Sequence, residues 1–181
     1  MKLIIALGNP GPEYISTRHN FGWRVFDVLS LKWQEKVKFY GLISEKMIDG
    51  EKILFLKPRT FYNDSGKSVR AVIDFYKIPC ENVLIIHDEL ALPFGSVRTR
   101  IGGSDAGNNG IKSINTHIGS DTARIRLGIA NELREKMNDA DFVLASFSLS
   151  EREKLSEIIA TSKKYIDAFI SDNFDSTTHS H

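Results

Sequence analysis

Two stretches of the chain run without a polar interruption: "LIIAL", Leu3 to Leu7, and "VLII", Val83 to Ile86. A strand with one wet face alternates apolar and polar residues. A strand apolar at every position has to be covered on both faces, as in parallel sheets. Two such strands, each bounded by turn residues, call for a sheet sandwiched between helices. The first run is cut off by Asn9 and Pro10, too short for a signal h-region or a membrane span. It therefore reads as a buried strand of a soluble, cytoplasmic protein.

The remaining elements interleave with these two. Phe21, Val25, Val28 and Leu29 recur at helical spacing, so a helix starts near Asn20. "LISEKMIDGEKILFLKP" is a hairpin turning at Asp49-Gly50. Asn63, Asp64 and Ser65 are positioned to cap a helix whose one side carries Val69, Val72, Ile73 and Tyr76. "SVRTR" is a short polar strand, and "IGGSDAGNNG" is a flexible loop leading into a helix from about Gly110. "ARIRLGIA" sends Ile125, Leu127 and Ile129 inward and Arg124, Arg126 and Gly128 outward. Ser150 with Glu153 predicts a capping box before a long helix bearing Leu155, Ile158, Ile166 and Phe169. The order predicts an α/β protein: a single domain over residues 1–173, with a twisted mixed sheet flanked by helices, and a flexible tail over 174–181.

The net charge of +1 over 181 residues excludes a uniformly basic nucleic-acid coat. It leaves room for patches. Basic residues outnumber acidic ones between Lys57 and Arg70 and again between Arg98 and Arg126, which permits a polyanion site or simply a solvated face. A single cysteine, Cys80, excludes an intrachain disulfide.

Open α/β sheets bind ligands beyond the carboxyl ends of their strands. Both buried runs end in polar residues: Gly8-Asn9 in one case, His87-Asp88-Glu89 in the other. If the strands run the same way, Asn9, His19 and Asp88 meet on one rim. A histidine held by an aspartate through one nitrogen takes a proton with the other, and the aspartate stabilises the imidazolium that results. With no G-x-S-x-G in the chain, activated water is favoured over a covalent intermediate. Asn63 and Asn109 sit at strand-to-helix turns, where an amide offers both donor and acceptor to a ligand. Each residue also has an ordinary reading, His19 as a helix-start residue and Asp88 as a turn cap. Spacing alone leaves both readings open.

The segments "IALGNPGPEYISTRHNFGW", "LKPRTFYNDSGKSV", "IHDELALPFGSVRTRIGGSDAGNNGIKSI" and "RIRLGIA", in this order, resemble bacterial-type peptidyl-tRNA hydrolase from about Leu3 to Phe147. The resemblance implies the fold of that family and an enzyme that cleaves the ester between a peptide and the 3′-terminal ribose of tRNA, recycling tRNA from prematurely released peptides. It implies no cofactor and no metal, a cytoplasmic monomer without an obligate protein partner, and no membrane association. His19 takes the catalytic base position, Asp88 holds it, and Asn9 falls at the position that tells blocked from free aminoacyl ends. Tyr14, Phe61, Asn63 and Asn109 correspond to residues around the peptide and the 3′ CCA end. Arg100 and Arg126 match the pair that holds the 5′-phosphate region, a task suited to guanidinium forks. The chain departs from the family pattern in three places: Asn108 where histidine is common, Ala91 where a second acid is usual, and Asn131-Glu132 where Gly-Arg-Pro-like residues often follow. A non-catalytic RNA-binding module and a hydrolase of a small ester or nucleoside are the competing readings. The intact His19 and Asp88 count against the first, and paired Arg100 and Arg126 favour a long anionic substrate over the second.

Overall fold

A computed structural model describes residues 1–181. Its eight strands form one sheet in the order β2-β3-β4-β1-β5-β7-β6-β8. They are β1 (Lys2–Ala6), β2 (Gln34–Lys36), β3 (Gly41–Ile48), β4 (Glu51–Pro58), β5 (Val83–Pro93), β6 (Ser96–Ile101), β7 (Ala123–Ala130) and β8 (Thr178–Ser180). The four central strands β4, β1, β5 and β7 run parallel, while β2, β3, β6 and β8 pair antiparallel at the flanks. The sheet is mixed, as expected, and its parallel centre is formed around the two uninterrupted apolar runs.

Strand alternation divides the core into two. Ile4, Ala6, Leu84, Ile86, Ile125 and Leu127 pack on one face beneath α1 (Phe21–Asp27), α4 (Asp139–Leu144) and α5 (Leu149–Ile170). Leu3, Ile5, Leu7, Val83 and Ile85 pack on the other, beneath α2 (Ser65–Tyr76) and α3 (Asn109–Ile118). Helix α1 sits unusually close to the sheet. A Cβ on Gly22 would lie 2.7 Å from the Ile86 carbonyl and 2.8 Å from that of Leu7. Only glycine allows that approach, and Trp23 fastens it by donating its indole N–H to the Ala6 carbonyl at 3.0 Å. No helix is long and apolar enough to cross a membrane.

Several local expectations change. The capping box is Ser148 with Glu151, two residues ahead of Ser150 and Glu153. Both pairs have the required spacing, but Glu151 is the one that also meets a buried arginine (below). Helix α2 begins at Ser65 with no side-chain cap; instead Ser65 donates its hydroxyl to the Tyr62 carbonyl. The outward side of β7 is not solvated, since Arg124 is buried. The tail expected to be flexible pairs with β6 as β8, and His181 lies within 2.9 Å of the Thr161 hydroxyl on α5. Three residues of polar sequence, "THS", carry no periodicity by which to recognise a strand.

Candidate active site

The carboxyl ends of all four parallel strands open onto one cavity of about 670 Å3. Strand β1 leads to Asn9, β4 to Phe61, Tyr62 and Asn63, and β7 to Arg134, while β5 carries Asp88 and Glu89 within its length and runs on to Pro93 instead of ending at them. Asn108 and Asn109 reach it from the start of α3, and Ala140, Val143 and Leu144 of α4 add an apolar wall. The volume is that of a ligand pocket rather than a packing defect.

His19 lies in a 3-10 turn, Arg18–Asn20, directly before α1. Its two neighbours explain its fixed position. Arg18 is almost wholly buried, and its guanidinium forks onto both carboxylate oxygens of Glu151, each at 2.8 Å. The Phe142 and Phe147 rings flank it at 4.8 and 4.9 Å. Burial alone would push the Glu151 carboxyl up, but Arg18 and the Ser148 backbone N–H outweigh that and hold it below its ordinary range. On the other side, Asn20 accepts from the Asn9 backbone N–H at 2.8 Å and donates to the Asn9 carbonyl at 2.9 Å. The turn carrying His19 is thus tied to α5 by a salt bridge and to the end of β1 by an amide pair.

Asp88 is 1 % exposed, which in an apolar surrounding would penalise its charge. Two donors meet it. His19 Nδ1 lies 2.9 Å from Oδ2, and the Tyr62 hydroxyl donates to Oδ1 at 2.5 Å. A carboxylate only accepts, so Nδ1 carries a proton, and in the neutral imidazole the lone pair is on Nε2. The Tyr62 ring stacks on the imidazole with centroids 3.5 Å apart and planes 13° from parallel. Burial first and the Asp88 charge second raise the Tyr62 phenol well above its usual pKa, so it remains a neutral donor. Helix α3 can press against this ring because position 110 is glycine: a Cβ there would come within 2.4 Å of Tyr62 Cε1.

The amides divide into engaged and free. Asn9 Oδ1 accepts from the Tyr62 backbone N–H at 2.8 Å, which leaves its Nδ2 without a protein partner beside the cavity. Asn63 and Asn109 are exposed at the cavity lining. Asn108 is different. It caps α3 and donates to both the Tyr62 hydroxyl and the Asp88 carbonyl at 3.1 Å. The position that departs from the family pattern is therefore wired into the histidine–aspartate pair. Ala91 lies on the wall, and Asn131 donates to Glu151 at 2.7 Å.

The other candidates are placed less simply. Phe61 is 61 % exposed at the cavity mouth, whereas Tyr14 is half-buried in the preceding turn and does not line the cavity. Register puts Arg98 opposite Arg126 and Arg100 opposite Arg124, so four arginines share one face of β6 and β7. They are not equivalent. Arg100 is exposed, but Arg126 is mostly covered and bonded to buried Glu89 at 3.0 Å. Arg124 holds the carbonyls of Gly103 at 2.8 Å and Ser104 at 2.6 Å, tethering the glycine-rich loop. Burial, then Arg100 and Arg126, depress its pKa. No local sequence pattern singles out Asn20, Arg18 or Arg134, which the fold brings to the site or its supports. For Tyr62 a signal existed, since it stands between Phe61 and Asn63.

An imidazole backed by a buried carboxylate, in a crevice toward the strand ends, is the side-chain arrangement of hydrolytic α/β proteins. Known proteins narrow that class. The family model described as peptidyl-tRNA hydrolase matches residues 3–181. Peptidyl-tRNA hydrolase of Fusobacterium nucleatum is 46% identical over 163 residues, covering 88% of this chain and 84% of that protein. That of Campylobacter hominis is 46% identical over 184 residues, 98% of this chain and 78% of its own length. The crystal structure of peptidyl-tRNA hydrolase from Acinetobacter baumannii superposes with a TM-score of 0.85 at 32% identity, over 95% of this chain and 89% of that one. The chain belongs to the peptidyl-tRNA hydrolase family.

Proposed function

We propose that the cavity hydrolyses peptidyl-tRNA with His19 as general base and Asp88 as its partner. Membership of the family makes the chain a hydrolase acting on the ester bond of peptidyl-tRNA; the residue roles are our assignment. The single observation carrying it is the 2.9 Å contact between His19 Nδ1 and Asp88, which leaves Nε2 free beside the cavity. Nε2 takes a proton from water as the water oxygen attacks the ester carbonyl. The carbonyl electrons move onto oxygen, and the unengaged Nδ2 of Asn9 is a suitable donor to the developing charge. When the tetrahedral centre collapses, the bond to the ribose oxygen breaks and the imidazolium returns the proton to it. Asn63 and Asn109 bind the peptide and terminal nucleotide, and exposed Phe61 offers a face for the unpaired 3′ base.

Arg100 and its neighbours on β6 and β7 take the 5′-phosphate region of the acceptor stem, with Arg126 contributing less because Glu89 already engages it. Tyr14 stays outside this assignment, since it does not reach the cavity. The reading goes with a monomeric cytoplasmic enzyme. Its test is side-by-side hydrolysis of an N-acetylated aminoacyl-tRNA and the free aminoacyl-tRNA by wild type and His19→Ala. The expected result is cleavage of the blocked ester, lowered by roughly two or more orders of magnitude in the variant. Equal rates in the two proteins would remove His19 from the chemistry.

A further inference from the structure

The polarity of the hydrogen-bond chain behind His19 is fixed from its far end. Asn108 Oδ1 accepts from the Ile111 backbone N–H at 3.0 Å, as an N-cap does. That contact settles which end of the amide faces the site: Nδ2, with two protons, points at the Tyr62 hydroxyl and the Asp88 carbonyl. Because the Tyr62 oxygen receives from Asn108, its own proton goes to Asp88 Oδ1. Asp88 is then committed through Oδ2 to His19 Nδ1–H. Each link has one donor and one acceptor, and every member has a single allowed orientation.

We propose that Tyr62 is a positioning residue of the hydrolysis, acting through Asp88 on His19. The proposal rests on the assignment of His19 as base. Tyr62 does this in two ways. Its hydroxyl satisfies the second oxygen of a carboxylate that solvent hardly reaches, so the carboxylate cannot turn away from the imidazole. Its ring, stacked at 3.5 Å, sets the plane in which Nε2 meets the water. A neutral donor suits the place. A cation there would engage Asp88 as Arg126 engages Glu89, and would compete with the imidazolium for the same charge. Asn108 belongs to the same unit, since it holds the Tyr62 hydroxyl from behind.

The test is steady-state hydrolysis of N-acetylated aminoacyl-tRNA by wild type, His19→Ala, Tyr62→Phe, Asn108→Ser and the Tyr62→Phe, Asn108→Ser double variant. Phenylalanine keeps the stacked ring and removes the hydroxyl; serine keeps the helix cap and removes the reach. Tyr62→Phe is expected to lower kcat about tenfold or more while KM stays within about twofold, the mark of a loss confined to the chemical step. The double variant should lose less than the two single effects combined, since one of the two Asn108 bonds runs through the Tyr62 hydroxyl. In the nuclear magnetic resonance spectrum, the downfield proton shared by His19 and Asp88 should shift in Tyr62→Phe. An unchanged kcat with that proton in place, or a rise in KM alone, would reduce Tyr62 to part of the cavity wall and overturn the proposal. A wild type as slow as His19→Ala would instead strike the assignment of the base, and the role of Tyr62 with it.

Discussion

Asp88 and Glu89 are adjacent on β5, both nearly inaccessible to solvent, and their carboxylates are satisfied by opposite means. Asp88 is surrounded by neutral donors, Tyr62 and the Nδ1–H of His19. Glu89 accepts from the Arg126 guanidinium and from the Ala91 backbone N–H at 3.1 Å. A carboxylate balanced by a guanidinium has its partner permanently, because arginine does not release its proton. A carboxylate balanced by neutral groups retains net charge, and that charge is at hand when the imidazole becomes cationic. One residue anchors β5 to β7; its neighbour is equipped for chemistry. A related contrast holds between the surroundings of His19, ordered by the neutral donors Tyr62 and Asn108, and the β6–β7 face, where positive charges crowd together.

The contrast can be tested in order of effect. The strongest test concerns the anchor of the histidine turn. Arg18→Met leaves the buried Glu151 carboxylate without its counter-charge, and should cost about 3–5 kcal/mol in denaturant unfolding. Because the folded Glu151 carboxyl is held below its ordinary range, its stabilisation is complete above the unfolded value of about 4.3 and is lost as pH falls through the folded value. A Glu151→Gln protein should therefore lose less stability than wild type on acidification from about pH 5 to 3. A parallel pH dependence in the two proteins would mean that Arg18 does not hold the charge.

Next is Gly110→Ala, whose added Cβ meets the Tyr62 ring. It should cost roughly 1–3 kcal/mol, the range for overpacking, and slow hydrolysis with it. Full activity at full stability would show that the α3–Tyr62 contact is not what orders the site.

The smallest effects separate the arginines. In tRNA binding against salt, Arg100→Ala should flatten the log–log slope by about 0.9, the share of one phosphate contact. Arg126→Ala should change the slope less and lower stability more, since it strands Glu89. Equal slope changes would make the two arginines an equivalent clamp, as the resemblance alone implies.

The parts of this molecule that could be read from its sequence are those whose signal is local. Continuous runs such as "LIIAL" announce a doubly covered strand, and Asp49-Gly50 announces a hairpin. Asn9 and Asn63 follow strands and His19 and Asn109 stand at helix starts, so a rule about strand ends reaches them. Asp88 is marked by the end of the apolar run "VLII", although β5 itself continues to Pro93. Edge strands of three residues, β2 and β8, carry too little pattern. The capping box failed for a related reason: "SLSERE" contains two pairs at the same spacing, and only the tertiary contact with Arg18 chooses between them. Tyr62 and Arg18 act on partners 26 and 133 positions away, so their roles exist only once the chain is folded. Arg126 shows the converse, a residue whose role the sequence suggests and whose partner, Glu89, qualifies it.

The most direct test of the central claim is single-turnover hydrolysis of N-acetylated aminoacyl-tRNA by Asp88→Asn beside wild type. Asparagine nearly matches the shape but removes the charge and can present a donor to Nδ1, favouring the wrong tautomer. A fall of roughly two to four orders of magnitude in a protein that still binds tRNA is what a general base held by Asp88 requires. A rate within about twofold of wild type would contradict the account, since water would then be activated without the pair.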